Sequence, residues 1–237
     1  ADALEFVVRK DGRKYDSLKV TGVMEEDEPE NNLVMKAVRL MRESFDFPWL
    51  KIHLHKVIPV GAGLGGGSSD AAGMLKVLNR YFTFGLNSEV LRSFAGRLGS
   101  DAPFFIDSTP SFAEGVGNIL SEVPLDLNDY HISLLCPGIN ISTAEAYAGC
   151  VPCPTGFSLR KLLNLPVSEW RGRVVNDFEL NIFRTYPEIG ELKMALYETG
   201  ALYASLSGSG STVYGIFSKK PNLPPSLSKY LLDAGQV

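Results

Sequence analysis

The chain has 237 residues, of which 45% are hydrophobic and 21% charged, a composition typical of a folded globular protein rather than a disordered one. Its 23 basic and 27 acidic residues give a formal net charge of −4, which argues against a broad nucleic-acid or membrane-surface footprint. Because no apolar run approaches the roughly 18 residues of a membrane span, we expect a cytoplasmic protein with neither a membrane nor a nucleic-acid partner.

The first fifty residues alternate between strand and helix patterns. Apolar residues occupy every second position from Leu4 to Val8, and residues 10–13 have the composition of a turn, which together predict an opening β-hairpin. Asn31 or Asn32 can cap a helix that follows directly. Apolar and polar residues then alternate from Leu50 to Leu54, which predicts a half-buried strand.

A glycine-rich segment follows this strand and reads Gly61-Ala-Gly-Leu-Gly-Gly-Gly-Ser-Ser69. Its five glycines in seven positions allow positive φ angles and remove the Cβ atoms that would keep a polyphosphate away from the backbone. Several N–H groups can then point at one anion. The run after Asp70 predicts a helix, whose N-terminal amides and partial positive charge would add to the attraction for a phosphate.

Three interpretations of this segment compete. It is not a Walker A motif, because no Lys-Ser or Lys-Thr follows the glycines. Gly61, Gly63 and Gly66 satisfy the dinucleotide pattern G-x-G-x-x-G, but the preceding strand alternates and Pro59 interrupts it, which disfavours a Rossmann site. A mobile surface loop is the third alternative, which the serine pair at a helix start disfavours.

The remainder of the first half is predicted to contain a helix from Ser88 that stops before Gly99, then short strands at Phe104–Ile106 and Ser111–Ala113. Asp101 lies between that helix stop and Pro103, on a short rigid connection. From the residues alone, it is equally well interpreted as a turn aspartate or as a catalytic carboxylate.

A polar stretch over residues 122–128 is our predicted domain boundary, which gives a first lobe of residues 1–124 and a second of residues 125–237. The second lobe should contain a strand at Ile132–Cys136, and a helix from Ser142 with a capping box. Further helices are predicted at Leu159–Leu163 and Pro187–Gly200, and further strands at Leu202–Leu206 and Thr212–Phe217.

The three cysteines do not form a disulfide framework. Cys150 and Cys153 have C-x-x-C spacing, for which His53 and His55 would be the remaining zinc ligands. A chance spacing in a loop is the favoured interpretation, since no second C-x-x-C exists.

The motifs in their order resemble the GHMP kinase family. Pro59-Val-Gly-Ala-Gly-Leu-Gly-Gly-Gly-Ser-Ser-Asp-Ala-Ala resembles its second motif, and Leu206-Ser-Gly-Ser-Gly-Ser211 its C-terminal glycine motif. The triple glycine, Leu98-Gly-Ser-Asp-Ala-Pro103 and Phe112-Ala-Glu-Gly-Val-Gly117 are similar to the 4-diphosphocytidyl-2-C-methyl-D-erythritol kinases within that family. The resemblance implies an α+β, two-lobed fold with the phosphate loop in the N-terminal lobe and a ferredoxin-like C-terminal lobe.

The resemblance also implies roles for individual residues. Asp101 matches the family's catalytic aspartate, and Tyr147 falls where the family places an aromatic ring that stacks on cytosine. The nucleotide-binding residues are then Asn32, Lys56, Pro59, Val60, Gly61, Ala62, Gly63, Leu64, Gly65, Gly66, Gly67, Ser68 and Ser69. The substrate side consists of Tyr147 with Ser207, Gly208, Ser209 and Gly210. Read locally, Asn32 is a helix cap, Lys56 a solvated strand lysine, Tyr147 a packing residue and the 207–211 segment a flexible hairpin.

The implied activity is ATP- and Mg²⁺-dependent phosphorylation of the 2-hydroxyl of diphosphocytidyl methylerythritol in non-mevalonate isoprenoid biosynthesis, by a monomer or weak homodimer. No acidic Mg²⁺ ligand stands out. The alternatives are another GHMP kinase, against which residues 112–117 argue, a nucleotide-binding module without catalysis, and a dinucleotide oxidoreductase. The family's opening Pro-x-Ala-Lys-x-Asn segment has no counterpart in the sequence, so we expect residues 1–237 on their own to bind nucleotide poorly and turn over slowly or not at all.

Overall fold

The computed structural model describes residues 1–23, 29–150 and 158–236. They divide into two compact units. The first combines Ala1–Val60 with Gly65–Val123, and the second combines Gly61–Leu64 with the chain from Pro124 onward. Helices and sheets are mixed in both units, which confirms the predicted α+β class.

The first unit contains a three-stranded sheet of β1 (Ala3–Val8), β2 (Ser17–Gly22) and β3 (Leu50–Lys56) in the order β1-β3-β2. β1 runs antiparallel to β3 and β2 runs parallel to it. The predicted hairpin is therefore wrong, because β3 lies between its two strands. Asp16 Oδ1 accepts from the backbone N–H of Leu50 at 2.8 Å and so joins the residue before β2 to the start of β3.

Four helices pack with this sheet in the described part of the first unit: α1 (Leu33–Arg42), α2 (Gly66–Tyr81), α3 (Ser88–Gly96) and α4 (Phe104–Asp107). Asn32 caps α1 as predicted, with its Oδ1 accepting from Val34 N at 2.8 Å. The largest fully buried side chains of the core are Met41, Leu50, Leu54, Met74, Leu75 and Leu78. They come from α1, α2 and β3, so the alternation of β3 and the helical spacing of α1 and α2 point at the same interior.

Two predicted boundaries in this unit differ from the structure. α2 begins at Gly66, so half of the predicted glycine loop is the first turn of a helix. The segment Phe104–Ile106 is helical rather than extended, and the predicted strand there is wrong. The ammonium of Lys76 on α2 donates to the carbonyls of Phe105 at 3.0 Å and Ile106 at 3.3 Å, which satisfies acceptors that a helix end leaves open. A short antiparallel pair follows, β4 (Ser111–Glu114) and β5 (Ile119–Glu122), and confirms the strand predicted from Ser111.

The second unit is built on a four-stranded antiparallel sheet in the order β7-β8-β6-β9. Its strands are β6 (His131–Leu135), β7 (Tyr203–Leu206), β8 (Val213–Phe217) and β9 (Leu231–Gln236). The first three confirm the predicted strands, and β9 was not predicted. The described helices are α5 (Thr143–Ala148), α6 (Leu159–Leu162), α7 (Glu179–Thr185), α8 (Pro187–Glu198) and α9 (Pro225–Ser228).

The core of the second unit lies between this sheet and its helices. Its fully buried members are Leu135, Ile141, Ile182, Ile189, Leu196 and Leu206. One of the two hydrogen bonds of the predicted capping box of α5 is observed: the backbone N–H of Glu145 donates to Ser142 Oγ at 3.1 Å. Among the residues that the structure describes, no helix is both long and apolar enough to cross a membrane.

Candidate nucleotide and phosphoryl-transfer site

The start of α2 presents free backbone donors. Gly65 is its N-cap, with φ 66° in the left-handed region, and the first α-helical bond runs from Ser69 N to the Gly65 carbonyl at 2.9 Å. The amides before Ser69, those of Gly66, Gly67 and Ser68, therefore have no carbonyl one turn earlier in the helix to donate to. They point out of the helix end at which its dipole is positive, so this end suits an anion.

Gly65 and Gly66, at this helix start, have little room for a side chain. A methyl group on Gly65 would lie 2.7 Å from Cζ of Phe105, and one on Gly66 would lie 3.0 Å from Cγ2 of Ile58. The α2 N-terminus is thus pressed against the strand exit and against α4. The predicted need for glycine at these positions has a steric cause in addition to the conformational one.

A cavity of about 200 Å³ lies beside this helix start. It is lined by Val20, Asn31, Asn32, Leu33, Lys56, Val60, Gly67 and Asp70. Four of these residues, Asn32, Lys56, Val60 and Gly67, were predicted from the resemblance to bind nucleotide. Residues distant in sequence thus line one small cavity within the first unit, with apolar and amide groups on its wall and the α2 N-terminus at its edge.

Lys56 is not the solvated strand lysine that its local pattern allows. It is 5% exposed, and its ammonium is paired with two buried carboxylates, those of Asp2 and Asp70, the latter at 2.8 Å. Asp2 Oδ1 also accepts from the backbone amides of Val57 at 2.6 Å and Ile58 at 2.8 Å, which fixes the chain where β3 ends.

The two carboxylates respond differently to this environment. Burial alone would raise the pKa of Asp2, but the Ile58 and Val57 amides and the Lys56 ammonium together hold it below its usual range. Burial raises the pKa of Asp70, and the Asp2 carboxylate adds to the rise, although Lys56 opposes it. Asp2 therefore carries the stabilised negative charge of the cluster, and Asp70 is the carboxyl whose ionisation is disfavoured.

Asp101 is exposed on the connection between α3 and α4. Its Oδ1 accepts from Ser100 Oγ at 3.3 Å and lies 3.7 Å from where a methyl group on Gly117 would stand. A methyl group on Gly99 would in turn lie 4.0 Å from Ser68 Oγ at the α2 start. The structure thus brings together, within the first unit, the helix start, the Asp101 connection and the β4–β5 turn. All three are segments that carried the resemblance.

The first half of the glycine segment packs within the second unit. Ser207 Oγ donates to the Gly63 carbonyl at 2.8 Å, and Thr212 N donates to the Ala62 carbonyl at 3.1 Å. A methyl group on Gly63, where φ is 75°, would stand 2.1 Å from the Ser207 carbonyl oxygen. The two glycine motifs, predicted from the resemblance to serve nucleotide and substrate, are therefore in direct contact. The 207–211 segment is the turn of an antiparallel hairpin formed by β7 and β8, and these hydrogen bonds brace it.

Tyr147 lies on α5 with its side chain 65% exposed. Its ring makes an edge contact with Phe178, with 4.9 Å between the ring centroids and 79° between their planes. Tyr147 is therefore more exposed than the half-buried packing residue that its local pattern suggested. The ring is held in orientation by one neighbour while most of its surface remains accessible.

The pattern of motifs missed five residues that organise these segments: Asp2, Asp70, Asn140, Asn176 and Glu179. Asp70 follows directly on the serine pair, so its place in the first turns of α2 was the available signal. Asn140 Oδ1 lies where a methyl group on Gly61 would stand, at 2.0 Å. Asn176 and Glu179 follow no glycine or motif, and nothing in the sequence alone indicated them.

The zinc alternative finds no support among the described residues. Thr21 Oγ1 is hydrogen-bonded to Nε2 of His53 at 2.8 Å and to Nδ1 of His55 at 3.0 Å. Cys150 is a free thiol, and Cys153 lies outside the described residues. Across residues 1–23, 29–150 and 158–236, no group of three or more His, Cys, Asp or Glu side chains could hold a metal ion.

Comparison with known proteins agrees with this geometry. Residues 32–108 match the sequence profile of the GHMP kinases N terminal domain, and residues 160–225 match that of the GHMP kinases C terminal domain. The chain is 47% identical over 223 residues to a 4-diphosphocytidyl-2-C-methyl-D-erythritol kinase of Bacteroides thetaiotaomicron, covering 94% of this chain and 81% of that protein. It is 52% identical over 195 residues to the kinase of that name from Azobacteroides pseudotrichonymphae, covering 82% and 73%.

Solved structures give the same result. A crystal structure of 4-(cytidine 5'-diphospho)-2C-methyl-D-erythritol kinase superposes with a TM-score of 0.71 and 27% identity, covering 99% of this chain and 84% of that one. The mevalonate kinase of Methanococcus jannaschii shares the fold with a TM-score of 0.64. Its identity is 12%, and the match covers 96% of this chain and 82% of that one. These matches set the dinucleotide oxidoreductase alternative aside and confirm the resemblance found in the motifs. The chain belongs to the GHMP kinase family and, within it, groups with the 4-diphosphocytidyl-2-C-methyl-D-erythritol kinases.

Proposed function

We propose that this protein transfers the γ-phosphoryl group of ATP to the 2-hydroxyl of 4-diphosphocytidyl-2-C-methyl-D-erythritol. The observation that carries the proposal is the 47% identity over 94% of the chain to a kinase of that name. We assign three described features to this reaction: the glycine-lined helix start, the adjoining cavity and the exposed carboxylate of Asp101.

The nucleotide site is assigned to the glycine segment and to the cavity beside α2. The amides of Gly66, Gly67 and Ser68 would hold phosphate oxygens, because they have no partner in the helix and the dipole favours negative charge. The cavity lined by Asn32 and Lys56 would receive part of the nucleoside. Gly65 and Gly66 also let this helix start pack closely within the first unit, since a side chain there would clash with Phe105 and Ile58.

Mg²⁺ is proposed as the companion of the nucleotide. This cation prefers oxygen ligands and commonly takes them from substrate phosphates and water, with only one or two carboxylates from the protein. Bound with ATP, the cation would neutralise charge on the transferred phosphoryl group.

Asp101 is proposed as the catalytic carboxylate. It would accept, or at least orient, the proton of the substrate hydroxyl as that oxygen attacks phosphorus. The Ser100 hydroxyl that donates to it limits its rotation, so its free oxygen has a preferred direction. A positioned base of this kind contributes roughly 10²–10⁴-fold to the rate, and alignment supplies much of the remainder.

Binding of the second substrate is proposed for the second unit. The exposed ring of Tyr147 offers a stacking surface for cytosine, with its orientation fixed by Phe178. The backbone of residues 207–210 is assigned to the same substrate side, and this turn is fastened to the Gly61–Leu64 segment.

The test compares Asp101→Asn with the wild type, both made as the full-length gene product. Phosphorylated product is detected by mass spectrometry after incubation with ATP, Mg²⁺ and diphosphocytidyl methylerythritol, and ATP affinity is measured by calorimetry. Asp46→Asn is the matched control, since Asp46 is an exposed aspartate of the same unit. We expect Asp101→Asn to keep its ATP affinity and to lose about 10²-fold or more in kcat.

Two results would contradict the proposal. A wild type that binds ATP but forms no product would be a nucleotide-binding module rather than a kinase for this substrate. An Asp101→Asn variant with the kcat of Asp46→Asn would leave the kinase assignment standing and remove Asp101 from its mechanism.

A further inference from the structure

Asn176 is placed so that its side-chain amide holds the turn between β7 and β8. Its Nδ2 donates to the carbonyl of Leu206 at 3.0 Å and to that of Gly208 at 2.8 Å. Its Oδ1 accepts from the backbone N–H of Phe178 at 3.0 Å, which fixes the direction in which the amide points. One half-buried side chain thus satisfies two carbonyls in the glycine turn and is itself locked by the chain that follows it.

Glu179, at the start of α7, holds the end of β7 that leads into the same turn. Its Oε1 accepts from Ser205 Oγ at 3.0 Å and from Leu206 N at 2.9 Å, while its Oε2 accepts from Lys193 at 2.6 Å. Asn176 therefore acts on a strand end that is already pinned. Beyond that strand end, Asn176 holds the turn at the carbonyl of Gly208, within the residues from Ser207 to Gly210.

Those residues are the ones that touch the first half of the phosphate segment. Ser207 donates its hydroxyl to the Gly63 carbonyl, and the Gly210 amide closes the turn by donating to the Ser207 carbonyl at 2.9 Å. Gly63 approaches this turn so closely that a methyl group on it would stand 2.8 Å from the Gly210 carbonyl oxygen. A change in the turn must therefore shift the Gly61–Leu64 segment, because no space separates the two.

We propose that Asn176 is a positioning residue for phosphoryl transfer, acting through the 207–210 turn on the glycine segment at Gly63. The proposal rests on the kinase function given above. Asn176 touches neither nucleotide nor acceptor in this assignment. It positions the backbone of the 207–210 turn, which is assigned to contact the reactants. A misplacement of about 1 Å at a reacting group can reduce the rate by about 10²-fold.

The test uses three variants of the full-length gene product. Asn176→Ala removes both donors and the acceptor. Asn176→Asp keeps the shape and the acceptor for Phe178 but turns an oxygen toward two carbonyls, so it isolates the donor function. Asn164→Ala is the control, since Asn164 is an exposed asparagine of the same unit. The measurements are kcat, KM for ATP, the melting temperature, and amide hydrogen exchange of the peptide spanning residues 205–212.

We expect both Asn176 variants to lose about 10- to 100-fold in kcat. Asn176→Asp should be at least as slow as Asn176→Ala, although it preserves volume and packing. Hydrogen exchange should accelerate about tenfold or more at the amides of Ser207, Gly210 and Thr212. The first two amides donate hydrogen bonds within the turn, and that of Thr212 donates to Ala62. Asn164→Ala should match the wild type in every measurement.

A lowered melting temperature with unchanged kcat per folded molecule would overturn the proposal, because it would make Asn176 a stability residue only. Unchanged exchange in the 205–212 peptide of Asn176→Asp would overturn it as well. Should the wild type form no product, the proposed function fails in that assay, and the exchange result still decides whether Asn176 holds the turn.

Discussion

Lys56 illustrates how residue type and surroundings can lead to different assignments. A lysine on a strand is ordinarily expected to reach solvent, but alternation places Lys56 on the same face of β3 as Ile52 and Leu54, and that face is buried. A buried ammonium needs partners, because desolvating an unpaired charge is costly. Asp2 and Asp70 supply two carboxylates for one ammonium, so ionisation of both would leave an excess negative charge in the cluster.

This excess charge predicts a pH dependence for Asp70→Asn. A carboxyl whose pKa is higher in the folded than in the unfolded protein favours folding when protonated, and that contribution is lost as the pH rises through the folded-state pKa. The asparagine cannot ionise. We therefore expect the free energy of unfolding of the variant, minus that of the wild type, to increase as the pH rises from about 4 through the folded-state pKa of Asp70. Urea titrations across that range measure it.

Asp2→Asn is the matched control and should behave in the opposite way. The pKa of Asp2 is lowered, so its charge stabilises the fold above its usual pKa and this stabilisation is lost as the pH falls through the lowered value. The free energy of unfolding of Asp2→Asn should therefore fall furthest below that of the wild type near neutral pH. If the two variants show the same trend with pH, the division of roles between the carboxylates is wrong.

At the scale of elements, the sequence predicted what depends on neighbours along the chain. The starts of α1 and α5 were predicted correctly, since Asn32 and Ser142 cap amides two or three residues away. The alternation of β3 was equally local. The strand order does not depend on neighbours along the chain, because nothing near residues 10–13 indicates that β3, some forty residues on, inserts between β1 and β2. The helix at Phe104–Asp107 was missed because the donor that completes it is Lys76, on another helix.

The contact between the Gly61–Leu64 segment and the β7–β8 turn gives the second prediction, for Gly63→Ala. Alanine at φ 75° is strained by roughly 1–2 kcal/mol, and here its methyl group would also collide with the Ser207 carbonyl oxygen. We expect a loss in the free energy of unfolding clearly beyond that strain, and a weaker ATP affinity because the segment must move. Chemical denaturation and calorimetry measure the two effects.

Gly172→Ala separates strain from collision. Gly172 has φ 72°, almost the same as Gly63, but nothing lies within 4 Å of where its methyl group would stand. This control should lose only the strain term, about 1–2 kcal/mol, with unchanged ATP affinity. Equal losses for the two variants would show that the close approach of Gly63 to Ser207 does not constrain the segment.

At the scale of the whole molecule, the motif most visible in the sequence does not remain one structural feature. Residues 61–69 read as a single phosphate loop, yet Gly61–Leu64 pack with the second unit and Gly65 onward with the first. The glycine content indicated that the backbone comes close to another group at this segment. It did not indicate which group: Gly63 approaches the Ser207 carbonyl, and Gly65 approaches the Phe105 ring. Residue identity along the chain predicts an unusual backbone, and only the fold supplies its partners.

The assignment of the nucleotide site predicts the response of the whole molecule to ligands. A ligand that binds only the folded protein stabilises it by about 2.7 kcal/mol when present at a hundred times its dissociation constant. For a chain of this length, each kcal/mol raises the melting temperature by about 2–4 °C, so saturating ATP with Mg²⁺ should raise it by about 5–10 °C. NADH at the same concentration should produce no shift. Asp101→Asn should retain the full ATP shift, since this carboxylate is assigned to the transfer step and not to nucleotide binding, whereas Gly63→Ala should lose most of it. A shift with NADH would contradict the assignment of ATP as the nucleotide. A shift lost in Asp101→Asn but kept in Gly63→Ala would place the nucleotide elsewhere than on the glycine segment.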